Sequence, residues 1–244
     1  MASLYLDEGA DFGSVAPGDV VRLTGPEARH ALQVARVRVG ERIAVGDGRG
    51  TVVRGEVVAS ESGELTVEAA EVSFEEPPRP ALVLVQALAK GDRDELAVQA
   101  ATELGVDRIV PWAAARSVSR WDGPKAEKGR QRWATIAREA SKQSIRSRVP
   151  AVEAATPTAG LAGLLAGARL LVLEPSAEAR LTELELDERE LALLVGPEGG
   201  VAPEELARLT AAGAEPVRLG PNVLRTSTAG PAAIALLSAR LGRW

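Results

Sequence analysis

Three short segments concentrate residue types that can hold a polar organic ligand or act on one. Leu173-Glu174-Pro175 ends an apolar run on a carboxylate, and Gly196-Pro197-Glu198-Gly199-Gly200 follows the apolar run Leu191 to Val195. Leu219-Gly220-Pro221-Asn222-Val223-Leu224-Arg225-Thr226-Ser227-Thr228-Ala229 gathers glycine, proline, an amide, hydroxyls and a guanidinium. Glycine lets a ligand approach bare backbone, and proline ends the strand before it. Taken singly, each segment also reads as ordinary connection chemistry. Pro203-Glu204-Glu205 is a common helix start and Gly213 a common helix stop. Neither the P-loop pattern nor the dinucleotide fingerprint occurs, so a triphosphate or NAD is disfavoured, and the glycines suit a small, neutral, adenosine-like group.

These segments need strands and helices to bring them together. After residue 80, continuous apolar runs at Leu82 to Leu88, Ile109 to Trp112, Leu170 to Leu173, Leu191 to Val195 and Pro216 to Leu219 read as strands covered on both faces. Between them lie amphipathic stretches at Asp94 to Leu104, Lys125 to Arg146, Thr158 to Ala166, Pro203 to Ala212 and Ala229 to Leu241. This alternation predicts an α/β domain over 81–244 with a largely parallel sheet, whose ligands sit beyond the carboxyl ends of the strands. Residues 1–73 differ. Short β-branched runs at Asp19 to Leu23, Arg42 to Val45, Thr51 to Ala59 and Glu64 to Ala70 predict a small β-rich domain with one helix over Pro26 to Val37. Val45 to Thr51 reads as a hairpin loop whose glycines take positive φ, and the proline-rich stretch 74–80 reads as a linker.

Composition excludes several chemistries. The chain of 244 residues has no cysteine and one histidine, His30, which removes disulfides, thiolate nucleophiles, and cysteine or histidine-rich metal sites, and leaves His30 as the sole base for a serine triad. No apolar run approaches the roughly 20 residues that span a bilayer, so a soluble, cytoplasmic protein that uses no membrane and no metal is expected. The net charge of -5 hides segregation: residues 125–148 carry eight basic residues against two acidic ones, whereas 174–190 carry seven acids against two arginines. Such a basic stretch can meet phosphates, or can simply be a solvated helix face. Trp112, Trp121 and Trp133 near it could stack a base, although tryptophan is more often core.

Glu103-Leu104-Gly105-Val106, Leu194 to Gly200 and Leu219 to Ala229 together resemble the RsmE family of small-subunit ribosomal RNA uridine-N3 methyltransferases, and the resemblance covers nearly the whole chain. It includes His30 and Arg36 ahead of Gly40, and Gln143, Arg146, Arg148 and Pro150. The resemblance implies a SPOUT-type methyltransferase domain with a C-terminal trefoil knot, an N-terminal PUA-like β-barrel, a homodimer, and 16S ribosomal RNA of the small subunit as partner. It further implies S-adenosylmethionine held by Leu173, Glu174, Pro175, Gly196, Pro197, Glu198, Gly199, Gly200, Leu219, Gly220, Asn222, Val223, Leu224 and Thr226, and RNA contacts from His30, Arg36, Arg116, Arg120, Lys142, Gln143, Arg146 and Arg148. Arg225 and Glu198 are the expected catalytic residues. Uracil N3 carries a proton at neutral pH, and a guanidinium beside O2 or O4 favours the deprotonated ring; Glu198 would offset the sulfonium charge. Ser227 stands where the family often has Glu, and Ala35 where leucine is usual. Two other readings compete: a SPOUT methyltransferase acting on another base or a ribose 2'-hydroxyl, and a non-catalytic RNA-binding assembly factor.

Overall fold

The computed structural model describes residues 3–244, which form two compact units. Residues 1–77 together with Ser141–Val149 make the first, and Pro78–Ala140 with Pro150–Trp244 the second. The contiguous division expected at residues 73 and 81 therefore omits the excursion 141–149, which no feature of the sequence marks.

In the first unit, β1 (Leu4–Leu6), β2 (Val20–Leu23), α1 (Gly25–Arg29), β3 (Arg42–Gly46), β4 (Thr51–Glu61) and β5 (Glu64–Phe74) build a five-stranded sheet in the order β1-β3-β4-β5-β2. Among the described residues β1 and β2 do not pair, so hydrogen bonds do not close the expected barrel. The β3–β4 hairpin loop is as expected, with Gly48 and Gly50 at φ of 69° and 116°. Two expectations are corrected. β5 runs on through Phe74, paired with Thr51, into the stretch read as linker. The helix expected to Val37 stops at Arg29 and becomes a single π-helical turn, His30–Val34, in which Ala35 N–H donates to the His30 carbonyl at 3.0 Å. Arg36, at φ 57°, then turns the chain out of helix.

The second unit contains β6 (Leu82–Ala87), α2 (Arg93–Glu103), β7 (Arg108–Ala113), α3 (Pro124–Gln143), β8 (Ala151–Val152), β9 (Thr156–Pro157), α4 (Thr158–Leu164), β10 (Arg169–Leu173), β11 (Leu191–Val195), α5 (Pro203–Ala211), β12 (Glu215–Val217) and α6 (Thr226–Arg240). Its sheet is parallel throughout, in the order β12-β10-β11-β6-β7-β8, with β9 also on β7. Period-two alternation splits each strand between two cores. Leu82, Leu84, Leu171, Leu191 and Leu193 pack with Val98 of α2, Trp133 of α3 and Ile234 of α6; Val83, Val85, Val172, Ala192 and Leu194 pack with Leu161 of α4 and Leu209 of α5. Trp112 and Trp133 are fully buried and Trp121 packs edge-on against Trp133 at 5.1 Å, so these rings are core and not a stacking surface.

The last helix fixes the topology of this unit. β12 lies at the sheet edge, yet α6 packs against β11, β6 and α2, well inside it. The β10–β11 connection, residues 174–190, packs against the helix: Leu181, Leu184 and Leu186 join the same core, and the Arg240 guanidinium donates to the carbonyls of Leu181 and Leu184. The expected trefoil knot would bring the last helix against an earlier connection in this way. Gly230 makes the fit possible, because a Cβ there would stand 2.7 Å from Leu84 Cδ1. Replacing Arg240 by Met should lower stability by about 1–2 kcal/mol in urea unfolding, as two charge-assisted bonds to carbonyls are lost. No change would show that the crossover is held by apolar contacts alone.

Candidate active site

At the carboxyl ends of β10, β11 and β12, the three strand exits enclose a cavity of about 290 Å³, near the lower end of the roughly 300–1,000 Å³ usual for small-molecule sites. Leu173, Glu174, Pro175, Gly196, Pro197, Glu198, Gly200, Leu219, Gly220, Asn222, Val223, Leu224, Arg225 and Thr226 line it, so the structure brings together every expected residue of this cluster except Gly199. Gly199 faces Arg116 instead, whose guanidinium donates to its carbonyl at 2.9 Å. Gly196 and Gly200 are the glycines the loop requires. A Cβ on Gly196 would stand 2.9 Å from Val201 Cγ2, and Gly200 turns the chain at φ 71°.

β12 ends at Val217 rather than Leu219, which leaves a longer irregular segment before α6. From Leu219 to Leu224 no backbone N–H or C=O hydrogen-bonds within the described chain. The stretch is half-buried to exposed, so its backbone donors and acceptors on the cavity wall are free to meet a heterocycle. Leu173, Val195, Val201, Val217 and Ala229 supply apolar surface around it.

A buried relay fixes the loops to one another. Thr226, the first residue of α6, donates its hydroxyl to the Gly196 carbonyl at 2.9 Å and accepts from Gln86 Nε2 at 2.9 Å. Gln86 Nε2 also donates to the Ala87 carbonyl at 3.1 Å. Both neighbours are acceptors towards Gln86, which fixes the amide orientation and leaves Oε1, fully buried, without a partner. Sequence reasoning passed over Gln86 by reading Leu82 to Leu88 as uniformly apolar, although a lone amide in such a run is itself a signal.

The charges at the cavity are set apart. Glu198 accepts from Arg93 at 2.8 Å and from the Lys90 N–H at 3.1 Å. Burial pushes its pKa up, but its own backbone N–H, the Arg93 guanidinium and the Lys90 amide outweigh that and hold it below the ordinary carboxylate value. Glu198 is therefore an ionised, engaged carboxylate and a poor proton acceptor. Arg93, which also lines the cavity, went unnoticed in the sequence because its partner lies 105 residues away. Arg225 is exposed and makes neither ion pair nor side-chain hydrogen bond among the described residues. Ser227 lies in the first turn of α6, so no carboxylate follows Arg225 at that position.

The expected RNA-contacting residues fall into two groups. Arg116 and Arg120 are exposed in the second unit, Arg120 donating to the Ala115 carbonyl at 3.2 Å. His30, Arg36, Lys142, Gln143, Arg146 and Arg148 belong to the first. Lys142 is buried, with its ammonium 3.0 Å from Glu27, and Arg148 is spent on the Glu75 carbonyl at 2.9 and 2.7 Å. The helix ends at Gln143, so Arg146 and Arg148 are not on it. The charge excess of 125–148 is also smaller than its composition indicates, because folding brings Glu95 to Arg132 and Glu27 to Lys142, while Glu127 holds Arg130. Among the described residues no cluster of three or more His, Cys, Asp or Glu could hold a metal ion, and no helix is long and apolar enough to cross a membrane.

A parallel sheet whose last helix packs inside it and against an earlier crossover, with a small-molecule cavity at the strand exits, is the arrangement of a SPOUT-type methyltransferase fold. The family described as RNA methyltransferase domain matches residues 75–238, and the RNA methyltransferase PUA domain matches 23–69. Ribosomal RNA small subunit methyltransferase E of Mycobacterium bovis is 42% identical over 98% of this chain and 92% of its own length, and that of Bacillus subtilis is 32% identical over 88% of each. A crystal structure of ribosomal RNA small subunit methyltransferase E from Neisseria gonorrhoeae bound to S-adenosyl methionine superposes with a TM-score of 0.87 at 27% identity, covering 98% of both chains. The chain belongs to the ribosomal RNA small subunit methyltransferase E family.

Two outcomes test the site's architecture. Thr226→Val keeps the shape but strips the hydroxyl from Gln86 and Gly196, and should cost about 1–2 kcal/mol in urea unfolding, whereas Thr226→Ser should cost less. Equal costs would mean the relay carries no energy. Because the Glu198 pKa is depressed in the fold, its stabilising contribution is complete above the ordinary carboxylate range and is lost as pH falls through the lowered value. Arg93→Ala should raise that pKa and move the loss to higher pH, read from the Glu198 carboxyl carbon by NMR titration; an unmoved midpoint would show that the backbone bonds alone set it.

Proposed function

We propose that the protein transfers the methyl group of S-adenosylmethionine to N3 of a uridine in 16S ribosomal RNA of the small ribosomal subunit, acting in the cytoplasm as a homodimer. The observation that carries this reading is the convergence of an unpaired guanidinium, Arg225, with the unpartnered backbone of 219–224 around one cavity. The donor set fits the cofactor. Apolar side chains and free backbone groups suit an adenine, Glu174 offers carboxylate oxygen to hydroxyl groups, and Glu198, ionised in its pair with Arg93, offers further carboxylate oxygen at the cavity wall.

S-adenosylmethionine, when bound, supplies an electrophilic methyl group on a sulfonium. In the transfer the sulfur–methyl bond breaks as the N3–methyl bond forms, the sulfonium leaves as the neutral thioether S-adenosylhomocysteine, and the N3 proton is released to water. The chain's part is positioning and electrostatics. Arg225 stands without a competing carboxylate, so its full charge is available to the uracil oxygen on which negative charge collects. Thr226, pinned by Gln86 and Gly196, fixes the backbone from which Arg225 projects. Glu198 stays ionised in its pair with Arg93 and does not take the proton. The reaction calls for no metal.

RNA contacts in this reading come from His30, Arg36, Arg116, Arg120, Gln143 and Arg146, while Lys142 and Arg148 are held in place by the Glu27 carboxylate and the Glu75 carbonyl and shape the surface. The homodimer is supported by α6, whose Ala229, Ala232, Ala235 and Leu236 remain half-buried after it has packed on its own sheet.

Nucleoside mass spectrometry of 16S ribosomal RNA from a strain lacking the gene tests this directly. N3-methyluridine should vanish and return when the gene is restored, and an Arg225→Ala copy should not restore it. In vitro, that variant should lose about 10²–10³-fold in kcat, with cofactor affinity within about threefold. Loss of a 2'-O-methylated nucleoside instead would overturn the assignment of N3.

A further inference from the structure

The first unit contains a second cavity, of about 230 Å³, walled by Tyr5, His30, Ala35, Lys142, Gln143 and Ile145. Tyr5 is 2% exposed, and its hydroxyl, with the Ser3 side chain beside it on the same wall, makes no well-formed hydrogen bond. A buried hydroxyl without a well-formed bond costs up to about 1–3 kcal/mol, so its presence on a cavity wall points to a ligand atom that completes it. The exposed His30 ring lies 6.3 Å from the Tyr5 ring. The Gln143 side-chain amide, also exposed, bonds to nothing in the described chain and offers a donor and an acceptor side by side.

Charge excludes a simple anion site. The Lys142 ammonium is matched by Glu27, which also accepts the Leu6 N–H at 3.3 Å, so the wall is rigid and close to neutral. The backbone around the cavity is strained as well. Ile145 lines it and Arg36 follows Ala35, both at φ 57°, and these are two of three non-glycine residues with left-handed backbone among those described. Such conformations persist where the surroundings over-determine them, often at ligand sites. Arg36 and Arg38 are exposed and unpaired beyond Ala35.

A planar, neutral ligand with hydrogen-bonding edges, flanked by phosphates, satisfies all of these features. We propose that this cavity takes one unstacked nucleobase of the RNA substrate, so that the first unit reads a base at a site of its own; the proposal rests on the RNA-methyltransferase reading. Tyr5 would donate to an oxygen or nitrogen of the base, Gln143 would pair with its edge, and Arg36 would meet the adjacent phosphate.

Filter binding of 16S ribosomal RNA to the full chain across a salt series tests it. Tyr5→Phe removes only the hydroxyl, and Ala35→Leu fills the cavity from an exposed backbone position. Each should weaken binding about five- to tenfold with the slope of log K against log salt unchanged, and cofactor affinity should stay at the unsubstituted value. Tyr5→Phe should melt close to the unsubstituted chain, since only the poorly formed contact with Ser3 is lost. Arg36→Ala should instead flatten the slope by roughly one unit. If Tyr5→Phe and Ala35→Leu bind and methylate the RNA as well as the unsubstituted protein, the base site is refuted while the enzymatic reading stands. A markedly lower melting temperature for Tyr5→Phe would make the Ser3 contact a structural bond and also count against the site. If the unsubstituted protein neither binds nor methylates the RNA, both readings fall together.

Discussion

The hydroxyl of Thr226 is the point on which the second unit turns. It joins Gln86 at the end of β6, Gly196 at the end of β11 and the first residue of α6, three segments spread over 140 residues of chain. The loops that carry Glu198 and Arg225 have little regular structure of their own, and it is this buried relay that ties them to the sheet. Packing of α6 against residues 174–190 adds a constraint of a different kind, because Arg240 ties the helix to that connection while Gly230 lets it settle against Leu84. A cavity whose walls are tied to one sheet and one helix suits a site whose chemistry depends on alignment.

Electrostatics then sort the charged groups by partner. Arg93 and the Lys90 amide satisfy Glu198, so it stays ionised with its charge matched, while Arg225 has no such partner and keeps its full field. Had position 227 carried a carboxylate, it would stand one turn-residue beyond Thr226; with serine there, proton removal falls to groups outside that position. In the first unit the same sorting runs in reverse. Glu27 neutralises Lys142, and what remains on that cavity wall is dipolar rather than charged.

The sequence made the layered α/β unit legible because its buried strands are continuous apolar runs, and β6, β7, β10 and β11 begin and end within a residue of expectation. The three strand exits followed from the same pattern. What stayed hidden depended on distance along the chain. β1 is three residues long, too short for any periodicity to reveal. Lys142 counted as a phosphate contact until folding supplied Glu27, 115 residues away. The helix over Pro26 to Val37 had the right spacing, but a π-turn and a left-handed Arg36 are local backbone choices that hydrophobic spacing does not encode. Gly199 sits in the right loop and faces away from the cavity, a distinction of direction that composition cannot carry.

Calorimetric titration of S-adenosylmethionine into the full chain tests the central claim most directly, that the three strand exits form one cofactor cavity. One site per chain is predicted, with binding abolished by Gly196→Val, whose side chain would be forced against Val201, and retained by Gly199→Ala, whose Cβ would meet only Arg116 at 3.5 Å. Undiminished affinity in Gly196→Val, or loss in Gly199→Ala alone, would contradict the account.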